Sequence, residues 1–240
     1  MVRKLFIVFA SGLVLAITLL SAAWVVGGPA AMKRIEEKGG IGFIGHRHRH
    51  APEMTRSFTF GKVGELRLDM PVDLTFQRGE SDTIEINGPQ DLVEKLEWKD
   101  GRLRYLGGKP IRGDGLTVTI VARAIPVLRL DAPADIELDG LDQDLLDIEA
   151  SGAVDLDARG RVATVKVVSS GAGDIDLSEL DAGDATLKIE GVGDVDVNAS
   201  GKVDATIEGA GTVTLHRKPQ MLTSKISGIG TVDHDYQVTR

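Results

Sequence analysis

The sequence predicts an all-β protein whose carboxy-terminal half is a parallel β-solenoid with about 19–20 residues per coil, preceded by an amino-terminal transmembrane or signal helix. Three observations predict it. Five glycine-rich turns recur, SGAVDLDA from Ser151, SGAGDIDL from Ser170, EGVGDVDV from Glu190, EGAGTVTL from Glu208 and SGIGTVDH from Ser227, at spacings of 19, 20, 18 and 19 residues. The flanking residues alternate with period two, so that in Asp174-Ile175-Asp176-Leu177 the carboxylates face one way and the aliphatics the other. Finally, each repeat is too short for a strand, a crossover helix and a return strand, which takes roughly 30 residues. Two short strands and two corners fit, each coil stacking on the last at about 4.8 Å.

The strand ahead of each turn follows the same alternation, as in Leu146 and Ile148, Val165 and Val167, and Leu187 and Ile189. Glycine at the corners permits positive φ and keeps a Cβ from crowding the neighbouring coil. The phase extends backwards to DAPADIEL at Asp131, which places Asp135 where Asp155 and Asp174 sit and makes six coils. Further back, Leu66 to Phe76 alternates without a break and carries Asp73-Leu74-Thr75-Phe76 in the same relation, as a related piece of sheet.

Taken in order, the 240-residue chain opens with an uncharged run from Leu5 to Val26, preceded by Arg3 and Lys4. As a helix the run measures about 33 Å, enough to cross a bilayer. Ser21-Ala22-Ala23 offers a signal-peptide cleavage site, so residues 1–27 are an anchor or a cleaved signal. Either reading sends the rest out of the cytoplasm, because Arg3 and Lys4 favour staying inside. Residues 28–56 read as a basic tether containing His46, His48 and His50. Alternate imidazoles on an extended segment suit a transition metal, whereas a solvated basic linker suits an anionic lipid surface. The head spans 57–240, and the absence of cysteine excludes disulfides and thiolate metal sites.

Within the head, Thr83 to Ile86 reads as a strand, Asp91 to Trp98 as a short helix capped by Asp91, and Arg102 to Leu106 and Leu116 to Ile120 as two more strands. Between these, Gly107 to Gly115 contains Arg112-Gly113-Asp114, three residues that occur in integrin ligands and equally at flexible hairpin tips.

This order, with DGRLRY, LTVTI, the serial SGxGD-type turns and His216-Arg217-Lys218-Pro219 before the last turn, resembles the bacterial putative auto-transporter adhesin, head GIN domain family from about Phe58 onward. Ala153-Val154 departs from the glycine-containing form, and Thr212 and Thr231 stand where earlier turns carry aspartate. The resemblance implies a right-handed β-helix-like head in the cell envelope and supplies no catalytic residues.

Charge is segregated along the chain: 20 acidic and 5 basic residues lie between Asp131 and Ala210, against 8 basic and 3 acidic in 1–56. Stacking would align Asp155, Asp174 and Asp194 in one column and Asp157, Asp176 and Asp196 beside it. Like charges about 5 Å apart repel. These six are candidate Ca²⁺ ligands, since calcium accepts irregular carboxylate sets and GAGDID partly resembles the calcium-binding repeat of RTX proteins. The competing reading is a solvated acidic face that keeps stacked strands soluble and discourages edge pairing.

Carbohydrate-active enzymes occur on such folds, but here the carboxylates occupy repeated outward positions and neither His216 nor His234 has an identifiable partner to orient it as a base. An acidic wall also repels nucleic acid. The sequence therefore points to a non-enzymatic binding or scaffolding module with no required cofactor. It is placed in the bacterial envelope, anchored to the inner membrane facing the periplasm or exported to the cell surface. Its expected partners are the membrane through the amino-terminal helix, an envelope protein or glycan, or a second copy through an uncovered solenoid end.

Overall fold

The structure, a computed structural model, describes residues 52–61, 64–108 and 116–236. The apolar leader, most of the tether with its His46, His48 and His50, and the Arg112-Gly113-Asp114 segment lie outside the described residues. Among those described, no helix is long and apolar enough to cross a membrane.

Among the described residues, sixteen strands form one continuous ladder system. The repeating part comprises β8 (Val127–Leu130), β9 (Ala134–Ala150), β10 (Val154–Ser169), β11 (Ile175–Ile189), β12 (Val195–Ala199), β13 (Lys202–Ile207), β14 (Ala210–Leu215), β15 (Met221–Ile226) and β16 (Ile229–His234). All pair in parallel with the next coil: Leu156 lies beside Ile136 and Ile175, Val203 beside Ala185 and Leu222, and Val213 beside Val195 and Val232. The six corners read from the sequence enclose about five solenoid turns.

Alternation builds the interior. Leu156, Ile175, Val195 and Val213 stack along one wall, and Ile148, Val167, Leu187 and Ala205 along the other, all buried. Each fully buried aliphatic side chain contributes about 1.5–3 kcal/mol relative to exposure. Glycine is required at the corners chiefly by close approach. A Cβ on Gly191 would lie 1.9 Å from the carbonyl oxygen of Gly171, and Gly209 and Gly228 repeat that contact on their own predecessors. Two residues on, Gly173 and Gly193 add positive φ values of 124° and 150°.

The amino-terminal half departs from sequential stacking. It contains β1 (Glu53–Thr59), β2 (Leu66–Leu68), β3 (Val72–Arg78), β4 (Thr83–Pro89), α1 (Gln90–Val93), β5 (Leu96–Lys99), β6 (Arg102–Tyr105) and β7 (Leu116–Ala122). β1 thus begins ahead of Ser57, where the sequence reading starts the head. The segment from β2 to β3 is a true coil: Asp73 sits beside Asp135, and Leu66 beside Leu128. On its other side lie β6 and β7, which follow it in sequence. β4 and β1 then continue the sheet antiparallel beyond β7.

The predicted helix from Asp91 to Trp98 is corrected. Only Gln90–Val93 is helical, its N-cap is Pro89, and no side chain caps it. Leu96 and Trp98 belong instead to a hairpin in which they face Tyr105 and Leu103. Asp100 and Gly101 turn that hairpin with φ of 50° and 76°, the conformation for which Asp-Gly is favoured. Arg56 closes this end, donating from Nη1 to the carbonyls of Val93 (3.0 Å) and Leu96 (2.8 Å) while lying over the Phe58 ring.

Candidate functional site

The outer wall following each glycine corner carries the predicted carboxylate columns. Parallel register places Asp73, Asp135 and Asp155 in one column, and Glu137, Asp157, Asp176 and Asp196 in the next. Asp174 and Asp194 continue the first, which the structure identifies as a bonded ladder. The Asp174 N–H donates to Asp155 Oδ1 (3.2 Å), the Asp194 N–H to Asp174 Oδ1 (3.0 Å) and the Thr212 N–H to Asp194 Oδ1 (2.6 Å). Asp155, Asp174 and Asp194 therefore each satisfy an amide of the following coil just after the corner. Charge-assisted bonds of this kind offset the repulsion among stacked carboxylates.

The second column is more varied. Asp176 Oδ1 accepts the Ser178 N–H at 2.8 Å. Asp196 Oδ1 lies 2.7 Å from His216 Nε2, and Asp235 approaches the other ring nitrogen at 3.9 Å. Here the sequence reading is corrected: His216 does have a partner, one coil away. Nothing in the local sequence marks it, although the 20-residue offset equals the coil length. Among the described residues, no group of three or more His, Asp or Glu side chains is arranged to hold a metal ion. The six proposed calcium ligands are thus brought into two columns, while one oxygen on each of Asp155, Asp174, Asp194 and Asp176 is engaged by a backbone amide.

On the adjoining wall a second cluster escaped the sequence reading. Arg67 bridges Asp131 (2.6 Å) and Asp69 (3.3 Å), Arg102 also grips Asp69, and the Ser151 hydroxyl donates to Asp131 at 3.0 Å. Burial pulls the Asp131 carboxyl upward. The Ser151 hydroxyl and the Arg67 and Arg102 guanidiniums outweigh it and hold the group below the usual carboxylate range. At the far end of this wall, Lys202 lowers Asp204, and Glu190 and Glu208 raise Lys188. Lys202 and Asp204 sit two residues apart on β13, whereas Lys188 joins Glu190 of its own coil to Glu208 of the next. A hollow of about 430 Å³ beside Asp69, Arg102 and Tyr105 is open to solvent.

A stack of parallel coils, with a buried aliphatic interior and charged, hydroxyl-bearing walls, defines a β-solenoid whose chemistry lies on its outside. The chain belongs to the putative auto-transporter adhesin, head GIN domain family, whose model matches residues 64–219. It is similar to a solved putative adhesin from Bacteroides fragilis, at 22% identity over 77% of this chain and 97% of that one with a TM-score of 0.61. A putative adhesin from Parabacteroides merdae aligns over 77% of this chain and 96% of its own at 19% identity and a TM-score of 0.47. No curated protein matches the chain.

Proposed function

We propose that this protein is a non-enzymatic adhesion module of the cell envelope, displayed outside the cytoplasm, that binds a glycan or envelope protein along its outer walls. One observation carries the reading. Three carboxylates of the outer wall, Asp155, Asp174 and Asp194, hold the coils together by accepting backbone amides. What remains is a regular surface of carboxylates and hydroxyls, suited to recognition by many weak contacts. Family membership supports adhesion, and an adhesive role supports a surface location.

The test uses full-length protein in detergent micelles, immobilised and exposed to envelope polysaccharides, peptidoglycan and outer-membrane protein fractions. Saturable retention of one fraction without new reducing ends or unsaturated sugars is expected. Release of such products would overturn the non-enzymatic reading, and failure to retain any fraction would overturn adhesion.

A further inference from the structure

The two ends of the solenoid are not equivalent. At the amino-terminal end, Arg56, Phe58 and Trp98 lie over the last coil, Trp98 stacking on Phe60 at 5.7 Å. At the carboxy-terminal end Val232 and Tyr236 pack against the core, but no strand among the described residues pairs beyond β15. β15 pairs only with β13, leaving its other edge of N–H and C=O groups unpartnered. Its inward residues continue the core columns, Leu222 beneath Val203 and Ile226 beneath Ile207. Val203 and Ile207 are fully buried, whereas Leu222 and Ile226 are 44% and 45% exposed and Met221 is 58% exposed.

Such an edge is a template for another strand, and proteins that avoid pairing place inward charge, proline or a bulge there. β15 has no inward charge, proline or bulge, and its single edge charge is the outward Lys225. Its sequence, Met221-Leu222-Thr223-Ser224-Lys225-Ile226, also lacks the carboxylates that line the coils before it. Across the corner the aspartate column gives way to Thr212 and Thr231. In the second column Thr214 interrupts the carboxylates and Asp233 alone follows it, so acidic repulsion between two copies is reduced at this end.

We propose that two copies of this chain associate tail to tail about a two-fold axis, β15 of each pairing antiparallel with β15 of the other. A two-fold contact is self-complementary and closes as a dimer. With inward side chains kept inward, Ser224 faces its own copy across the axis and Leu222 faces Ile226. On the outside Thr223 faces Lys225, so no carboxylate meets another. The pairing is independent of what the walls bind, so its failure would leave the adhesive reading intact.

The experiment follows full-length protein in detergent micelles by sedimentation and by cross-linking through Ser224→Cys, the chain having no cysteine of its own. Mild oxidation is expected to give a reducible covalent dimer, while Thr186→Cys in mid-wall does not cross-link. Adding Thr223→Lys sets lysine against the partner's lysine twice, yet within its own chain faces Asp204, so the monomer keeps its fold. It is expected to weaken the dimer about tenfold, the equivalent of roughly 1.4 kcal/mol. The proposal is overturned by a single-chain mass with no cross-link, by dimers indifferent to Thr223→Lys, or by a ladder of ever larger species. Protection of β15 amides in a monomer, showing the end covered by its own chain, would overturn it too.

Discussion

The backbone N–H of Asp194 donates to Asp174 Oδ1 at 3.0 Å, so one coil is tied to the next by a side chain that looks, in sequence, like free surface charge. Replacing Asp174 by alanine should destabilise the head by about 1 kcal/mol, the net worth of such a bond. Asp174→Asn keeps the oxygen and removes like-charge repulsion, and is expected to be near neutral. Denaturant melts of the two variants separate an acceptor role from a charge role.

The glycine corners should be the least tolerant positions. Gly191→Ala puts a Cβ against the Gly171 carbonyl, where backbone rather than a flexible side chain must yield. A loss of about 3 kcal/mol or more is expected, at the upper end for overpacking. Gly108→Ala, with nothing within 4 Å of the added atom, serves as the control and should melt unchanged.

Arg56 should govern the amino-terminal end. Arg56→Ala removes both carbonyl contacts and the packing on Phe58. Hydrogen exchange is expected to accelerate first in β5 and β6, with the central coils unaffected.

Acid should loosen the Asp131 contact. Its carboxyl is depressed in the folded state, so the stability it lends is complete above the unfolded value near 3.9 and disappears as pH falls through the lower folded value. Thermal melts from pH 7 to pH 2 should show an acid limb that becomes shallower in an Arg67→Gln, Ser151→Ala double variant.

Calcium should have little to do at the ladder, since one oxygen each of Asp155, Asp174 and Asp194 is already engaged by an amide. Titration calorimetry with Ca²⁺ and melting with chelator are expected to show no heat and no shift. A chelator-sensitive transition abolished by Asp176→Asn would reverse this.

Alternation and the 18–20-residue spacing determined the coil by themselves. Once Ile175 and Leu177 must be buried and Asp174 and Asp176 exposed, a strand follows, and glycine at fixed intervals follows from corners too tight for a Cβ. Even the distant Asp73 announced its column through the phase of its neighbours. Tertiary structure alone decided the rest. It inserted β2 between β6 and β8 and β3 between β7 and β9, a non-sequential pairing that no local periodicity encodes. It also turned Leu96 to Lys99 into a strand against Arg102 to Tyr105, although the Asp100-Gly101 turn signal was present in the sequence. Above all it gave the acidic residues their partners. Whether an outward aspartate is free charge, an amide acceptor or the companion of His216 depends on what the next coil places about 5 Å away, and that is set by stacking rather than by chain order.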